Sequence, residues 1–457
     1  NVDRSPVLAL TGQVDSQVLG PGAFQEVDLA AAFGKVAQWS QPVLGTSRHA
    51  ELVNLATKSA ILNRGVSHLI FPDEVQTQPA PAGAKAGGPA GRLTPREITP
   101  PRESLDAALE VIRGSQRPVI IVGHGARFEM PAILELAELL GAPVLTTFKG
   151  KGLVSDHHPL GCGVLGRSGT PIASWFMNES DSLVVFGASF SNHTGITPKR
   201  PIVQVDYDPM ILGKFHAVKV PVWGEIGVTA RQLAAELGDD SGVADRVDQR
   251  AEIAERWRIW RTEKKRRLAE ERGRGVSSSA IFAAMNRQVP ADAIIAVDVG
   301  NNTYSFGRYF ECREQAVLMS GYLGSIGFAY PAAMGAWAAT QEDDPRFLGR
   351  PVVAVSGDGG FGQYLGELTT AVKYGMKITH VLVNNSELGK ISKEQRSGNW
   401  EVWQTSLHNP DLARYAELCG ALGIRVTQAA ELDAALEQAL AHDGPSMVEV
   451  IADPELV

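Results

Sequence analysis

Short apolar runs, each halted by glycine, proline or a polar pair, recur along this chain with helical stretches between them. RPVIIVG, APVLTT, DSLVVFG and RPIVQVD fall between residues 117 and 206; DAIIAVDVG, PVVAVSGDGG, KITHVLVNN and SMVEVIAD fall between 292 and 453. Strands this apolar have no face to give to water, so both faces must be covered by helices and the strands must run mainly parallel. The same alternation opens the chain, where PVLALTG and VSHLIFP flank the helical HAELVNLATKSAILNRG, read as ending on Gly65. The fold class is α/β. At 457 residues, and about 150 residues per domain, three α/β modules with mainly parallel sheets are expected.

Composition shifts place the boundaries. QTQPAPAGAKAGGPAGRLTPREITPP is rich in Pro, Gly and Ala and has almost nothing to bury, so it reads as a linker. It separates a first module, residues 1–76, from a second, residues 104–235, with the linker taken as 77–103. In the second, PAILELAELLG is a helix opened by Pro131 and stopped by Gly141. Residues 236–275 are charged at helical spacing, with Trp257 and Trp260 three apart. Acidic residues break up the basic ones, so this reads as a solvated connecting helix, not a nucleic-acid helix. The third module is 276–457. The start is abrupt: Val7–Leu10 reads as a buried strand with few residues before it, as though the chain began inside a domain, and truncation is the expectation.

The charge balance, 43 basic against 51 acidic residues for a net charge of -8, argues against a nucleic-acid partner. Cys162, Cys312 and Cys419 are widely separated, the usage of small buried hydrophobes in a reducing cytosol, so a cytoplasmic location is expected. No run of 18 apolar residues occurs, and no membrane span is expected.

The segment SGDGGFGQYLGELTTAVKYGMKITHVLVNN carries the chemistry. In an open parallel sheet, ligands bind beyond the carboxyl ends of the strands. GDGG, read as the loop after the strand Val352–Val355, offers backbone N–H groups to an anion, and the following helix adds its positive end. Asp358 would repel a phosphate unless a divalent cation lay between them. The next strand, Ile378–Val383, ends on Asn384 and Asn385. An aspartate oxygen, an amide oxygen, backbone carbonyls and diphosphate oxygens form the hard oxygen cage that Mg²⁺ requires. A Walker A loop is ruled out because GxxxxGK[ST] is absent.

This GDG…NN pattern resembles the thiamine diphosphate (ThDP) signature of the acetohydroxyacid synthase and pyruvate oxidase superfamily, and the resemblance covers nearly the whole chain. PVLALTGQV, GAFQEVD and AILNRGVSHLIFP look like the later half of the family's pyrimidine-binding domain, and GYLGSIGFAYPAAMGA like the segment holding the aminopyrimidine. The resemblance implies that Ile326 bends the cofactor, and that Gly324, Ser325 and Ile326 meet the pyrimidine. It also implies that Asp358, Asn385 and the Glu387 carbonyl bind Mg²⁺. Gly300, Asn301, Asn302, Gly357, Gly359, Gly360, Leu388 and Gly389 would then lie against the cofactor. The glutamate that activates the pyrimidine in this family precedes anything matched here. Glu26 fits a different motif and receives no such role.

Among family branches, Glu394 resembles the pyruvate oxidases, and Phe24 and Gln25 match a pair near the substrate channel. Lys390 is a departure where an apolar residue is usual, which puts pyruvate itself in doubt; its bland alternative is a solvated helix-end lysine. The resemblance implies a possible FAD site in the second module along Gly123, Gly125, Thr147, Phe148, Leu165, Gly166, Gly187, Ala188 and Asp206. The leading expectation is decarboxylation of pyruvate or a similar 2-oxo acid with oxidation through FAD. An acetolactate synthase-like carboligase, a flavin-free decarboxylase and a catalytically silent ThDP-binding protein remain open. A homodimer or homotetramer is expected.

Overall fold

The computed structural model describes residues 1–455 apart from 81, 84–86, 192–193, 197–198, 239–245 and 271–272. It divides into two compact units: Asn1–Arg96 with Gly321–Leu323, and Glu97–Ser320 with Gly324–Val457.

The first unit holds a three-stranded parallel sheet, β1 (Val7–Gln13), β2 (Trp39–Pro42) and β3 (Val66–Pro72), in the order β1-β3-β2. Its small core gathers Val43, Ala56, Leu69 and Val75. Here β1 departs from expectation. It is an edge strand paired only with β3 among the described strands, and Val7 and Leu10 are exposed, not buried. The helix His49–Asn63 also stops one residue earlier than read, on Arg64 in the left-handed region. Gly65 then packs where a Cβ would lie 2.5 Å from the Gln38 side chain.

The second unit contains two six-stranded parallel sheets. One runs β6-β5-β4-β7-β8-β9, from β4 (Pro118–Val122), β5 (Val144–Thr146), β6 (Gly161–Val164), β7 (Ser182–Phe186), β8 (Ile202–Asp206) and β9 (Val220–Trp223). The other runs β11-β10-β12-β13-β15-β14, from β10 (Ile294–Val297), β11 (Ala316–Met319), β12 (Val352–Gly357), β13 (Ile378–Asn384), β14 (Leu422–Val426) and β15 (Ser446–Ile451). Strands β4, β7 and β10 are buried throughout, and β12 and β13 except near their carboxyl ends, as continuous apolar runs require. Strands β6, β9, β11 and β14 were not anticipated. All four sit at sheet edges, and β6 and β14 carry glycine, which blurs the apolar signal.

The charged helix Arg250–Leu268 corrects the picture of a solvated connector. Trp257 and Trp260 are buried in the unit's core, and the Trp257 indole donates to Gly161 O at 2.8 Å. Several of its charged residues also reach the body it packs on: Glu252 pairs with Arg117, Arg261 with Glu311, and Arg256 stacks over Trp175. The helix Arg102–Arg113 begins within the stretch read as linker. No helix among the described residues is long and apolar enough to cross a membrane. The cysteines are free, Cys162 and Cys312 buried and Cys419 partly so.

Candidate active site

Register brings three strand ends to one rim. Val297 pairs with Val355, and Gly357 with Val383, so residues 298, 358 and 384–385 leave the sheet together. Strand β12 passes directly into a single helical turn, Asp358–Phe361. The GDGG stretch is therefore not a free loop, and a four-residue turn carries little of the dipole expected of a longer helix.

Asp358 is buried. Burial pushes its carboxyl pKa up, opposed first by the amide of Asn409, which donates to Oδ2 at 2.6 Å. At the end of β13 the two asparagines separate. Asn384 turns inward, donating to Glu449 Oε1 at 2.7 Å. Asn385 stays at the rim, where its Oδ1 accepts the Glu387 N–H at 3.3 Å. Between Asn385 and Glu387, Ser386 is held in the left-handed region (φ 56°). Its carbonyl accepts from Leu407 N at 2.7 Å and its N–H donates to Asn384 Oδ1 at 3.1 Å. Such strain persists only where the surroundings enforce it. The Glu387 carbonyl accepts from Gly389 N at 2.9 Å and keeps a second lone pair.

Several glycines have identifiable reasons. A Cβ on Gly389 would lie 2.7 Å from Asn301 Nδ2 and 2.8 Å from Asn385 Nδ2, so only glycine lets these two amides share one spot. A Cβ on Gly360 would meet Asp298 Oδ2 at 2.6 Å, and one on Gly359 would meet Leu388 Cδ2 at 2.8 Å. On their side-chain face these last two glycines make room for protein atoms. Gly300 has φ 141°, with Asn302 Oδ1 on its open face.

Asp298 is the acidic residue that sequence reasoning passed over. It is almost wholly buried, and burial pushes its pKa up to about 6 against the N–H groups of Val299 and Gly327–Ala329. It anchors the segment that follows Gly324 (φ 66°), Ser325 and the half-buried Ile326. The strand-end rule could have found it, since DVGNN stands at the end of β10. Asn409 and Glu449 carry no local signal of this kind.

On the helix Gly389–Ser397, Lys390 and Glu394 pair with each other at 2.5 Å, and the ammonium lies over the Tyr304 ring. Lys390 is therefore not a free solvated side chain. In the first unit, Phe24 is exposed and Gln25 has φ 67°. Glu26 closes their loop by accepting from the N–H groups of Gly20, Gly22 and Ala23.

At the other six-stranded sheet, the residues expected around a flavin gather at the carboxyl ends of β4, β5, β6, β7 and β8, but with little of a cradle. A Cβ on Gly125 would sit 2.8 Å from Gly187 Cα, and one on Gly123 would run into the Gly187 carbonyl. Gly125 N donates to that carbonyl at 3.0 Å. The Asp206 carboxylate holds the N–H of Asp208 at 2.9 Å. Leu165 and Ala188 are buried, and Thr147 N and Leu165 N continue the ladder onto Val122 O and Thr146 O. Phe148 packs where a Cβ on Gly307 would meet its ring. These glycines are explained by loop-on-loop packing, and no step is derived through a flavin.

The rim does fit a magnesium diphosphate. Asn301 Nδ2, a donor, and Glu387 Oε1 are buried there without a partner; beside the carboxylates of Asp358 and Asp298, the latter committed to Gly327 N, the rim is amides and carbonyls. Among the described residues, no three His, Cys, Asp or Glu side chains gather as a metal cluster; a diphosphate-bridged Mg²⁺ needs none.

Comparison with known proteins agrees with this architecture. Residues 105–233 match the thiamine pyrophosphate enzyme central domain, and residues 298–450 match its C-terminal TPP binding domain. The chain belongs to the thiamine pyrophosphate enzyme family. It is 32% identical to the Bacillus subtilis protein YdaP, described by its name as thiamine pyrophosphate-containing, over 99% of this chain and 77% of that one. It is 27% identical to the acetolactate synthase isozyme 2 large subunit of Escherichia coli, over 99% of this chain and 80% of that one. It is 29% identical to the sulfoacetaldehyde acetyltransferase of Roseovarius nubinhibens, over 99% and 78%. The chain is that of a ThDP-dependent enzyme.

Proposed function

We propose that this enzyme decarboxylates pyruvate or a similar 2-oxo acid with ThDP and Mg²⁺ and passes the remaining fragment to a second molecule, as a carboligase or acyl transferase does. The observation that carries the reading is the rim shared by Asp358, Asn385, Asn301 and Gly389, with its unpartnered buried amide. Asp358, the Asn385 side chain and the Glu387 carbonyl would hold the cation. Asn301, Asn302, Gly300, Leu388 and Gly389 would face the diphosphate, and Gly324–Ile326 the pyrimidine. When bound, ThDP supplies a carbon nucleophile and an electron sink for loss of CO₂. The chain's own part is positioning, charge balance and exclusion of water. The names of relatives support transfer to an acceptor, and their variety leaves the acceptor to be determined.

Glu394 favours a second reading, a pyruvate oxidase-like enzyme using FAD, in which Gly123, Gly125 and Gly187 would border the flavin. The experiment uses the full-length protein with ThDP and Mg²⁺, given pyruvate without oxygen. Release of CO₂ with a condensed product supports transfer. A flavin band that bleaches supports oxidation instead. Undiminished ThDP binding in Asp358→Ala with excess Mg²⁺ would sink the cation assignment. We also propose at least a dimer, which the mass in solution tests.

A further inference from the structure

Asn409 lies far along the chain from the glycine motif, in the stretch SLHNPDL, yet its amide reaches the rim. One N–H of Nδ2 meets Asp358 Oδ2 at 2.6 Å and the same nitrogen meets Asn384 Oδ1 at 3.0 Å. An amide nitrogen has two hydrogens and no acceptor capacity, so both are committed. Asn384 in turn donates its own NH₂ to Glu449 Oε1 at 2.7 Å. Glu449 is fully buried, and its other oxygen accepts from Ala413 N at 3.0 Å and Arg425 Nη1 at 3.4 Å.

The direction of this chain of hydrogen bonds follows from its far end. A carboxylate can only accept, so Glu449 forces the NH₂ of Asn384 toward itself and the carbonyl of Asn384 outward. That carbonyl, which also accepts from Ser386 N at 3.1 Å, forces the NH₂ of Asn409 toward it. The same NH₂ then meets Asp358. Polarity set at the Glu449 carboxylate is thereby transmitted through two amides to one oxygen of Asp358.

We propose that Asn409 is a positioning residue for the divalent cation. Driven by Glu449 through Asn384, it fixes one carboxylate oxygen of Asp358 so that the group meets the metal in a single orientation. This rests on the reading that Asp358 holds the cation. Hydrogen-bonding partners of metal ligands of this kind typically change metal affinity by about 10–100-fold when lost.

The test reads metal binding without turnover. Mn²⁺ affinity is measured by electron paramagnetic resonance on the full-length protein with saturating ThDP. Asn409→Ala is expected to weaken Mn²⁺ by about 10–100-fold, while ThDP affinity at saturating Mn²⁺ stays within about threefold. The second variant, Asn409→Leu, keeps much of the side-chain volume but has no N–H to donate to Asp358 Oδ2 or Asn384 Oδ1. It too is expected to weaken Mn²⁺, and it decides the matter if Asn409→Ala does not fold. Unchanged Mn²⁺ affinity in these variants, beside loss in Asp358→Ala, overturns the positioning role alone. Unchanged Mn²⁺ affinity in Asp358→Ala overturns the cation assignment beneath it.

Discussion

Asp298 takes the Gly327 N–H on both carboxylate oxygens, at 2.9 and 3.1 Å. This contact ties the end of β10 to the start of the helix Ala329–Ala339, and it sets the segment carrying Gly324, Ser325 and Ile326. The carboxylate also fills the space that Gly360 leaves open.

Burial holds the Asp298 pKa at about 6, above the ordinary 3.8. The folded state therefore binds a proton more tightly than the unfolded chain does. The resulting stabilisation is complete below about pH 4 and is lost as pH rises through about 6, by on the order of 3 kcal/mol at most. Asp298→Asn is expected to remove this dependence. Urea unfolding of both proteins between pH 4 and 7 checks it; parallel slopes would refute it.

Lys151 and Asp156 form a buried ion pair at 3.1 Å, and Asp156 Oδ2 also takes the Cys312 N–H at 2.7 Å. Lys151→Met leaves that carboxylate buried without its cation and is expected to cost about 3–5 kcal/mol. Lys151→Met with Asp156→Asn is expected to cost less than the first change alone. Chemical denaturation of the three variants measures the coupling.

Gly123→Ala is expected to destabilise by about 3 kcal/mol, since its Cβ would run into the Gly187 carbonyl oxygen and crowd Ala188 Cβ and Cα, none of which can swing away. Gly366→Ala, with helical backbone and nothing near its Cβ, is expected to be neutral or stabilising by up to about 1 kcal/mol. Thermal unfolding of the pair separates packing from chain entropy.

The Lys390–Glu394 pair is solvent-facing and one helical turn apart, so Lys390→Met is expected to change stability by less than about 0.5 kcal/mol. Lys390 stands where the family resemblance expects an apolar residue, and we propose that its ammonium adds positive charge to the substrate pocket. KM for a 2-oxo acid is then expected to rise about tenfold, with kcat less affected. Steady-state kinetics decides; an unchanged KM places Lys390 outside the pocket.

The strands of the two large sheets were legible because a strand buried on both faces must be apolar along its whole length. Edge elements were not. β1 is exposed despite its apolar residues, and β11 and β14 are only partly buried, so their composition says little. The Arg250–Leu268 helix misled for a related reason: charged residues surround it on every side, while Ile253, Trp257 and Trp260, which give it its place in the core, are a small part of its sequence.

The sequence by itself determined the α/β class and the strand–turn–helix unit that puts Asp358 and Asn385 at neighbouring strand ends. Those depend on local pattern and on the general behaviour of parallel sheets. Only the tertiary structure decided that Asp298 stands under Gly360, that Asn384 turns inward while Asn385 stays at the rim, and that Asn409 reaches Asp358. Each is a contact between segments distant in the chain. It is set by strand register and by which side chains can share a buried space, and no local spacing encodes either.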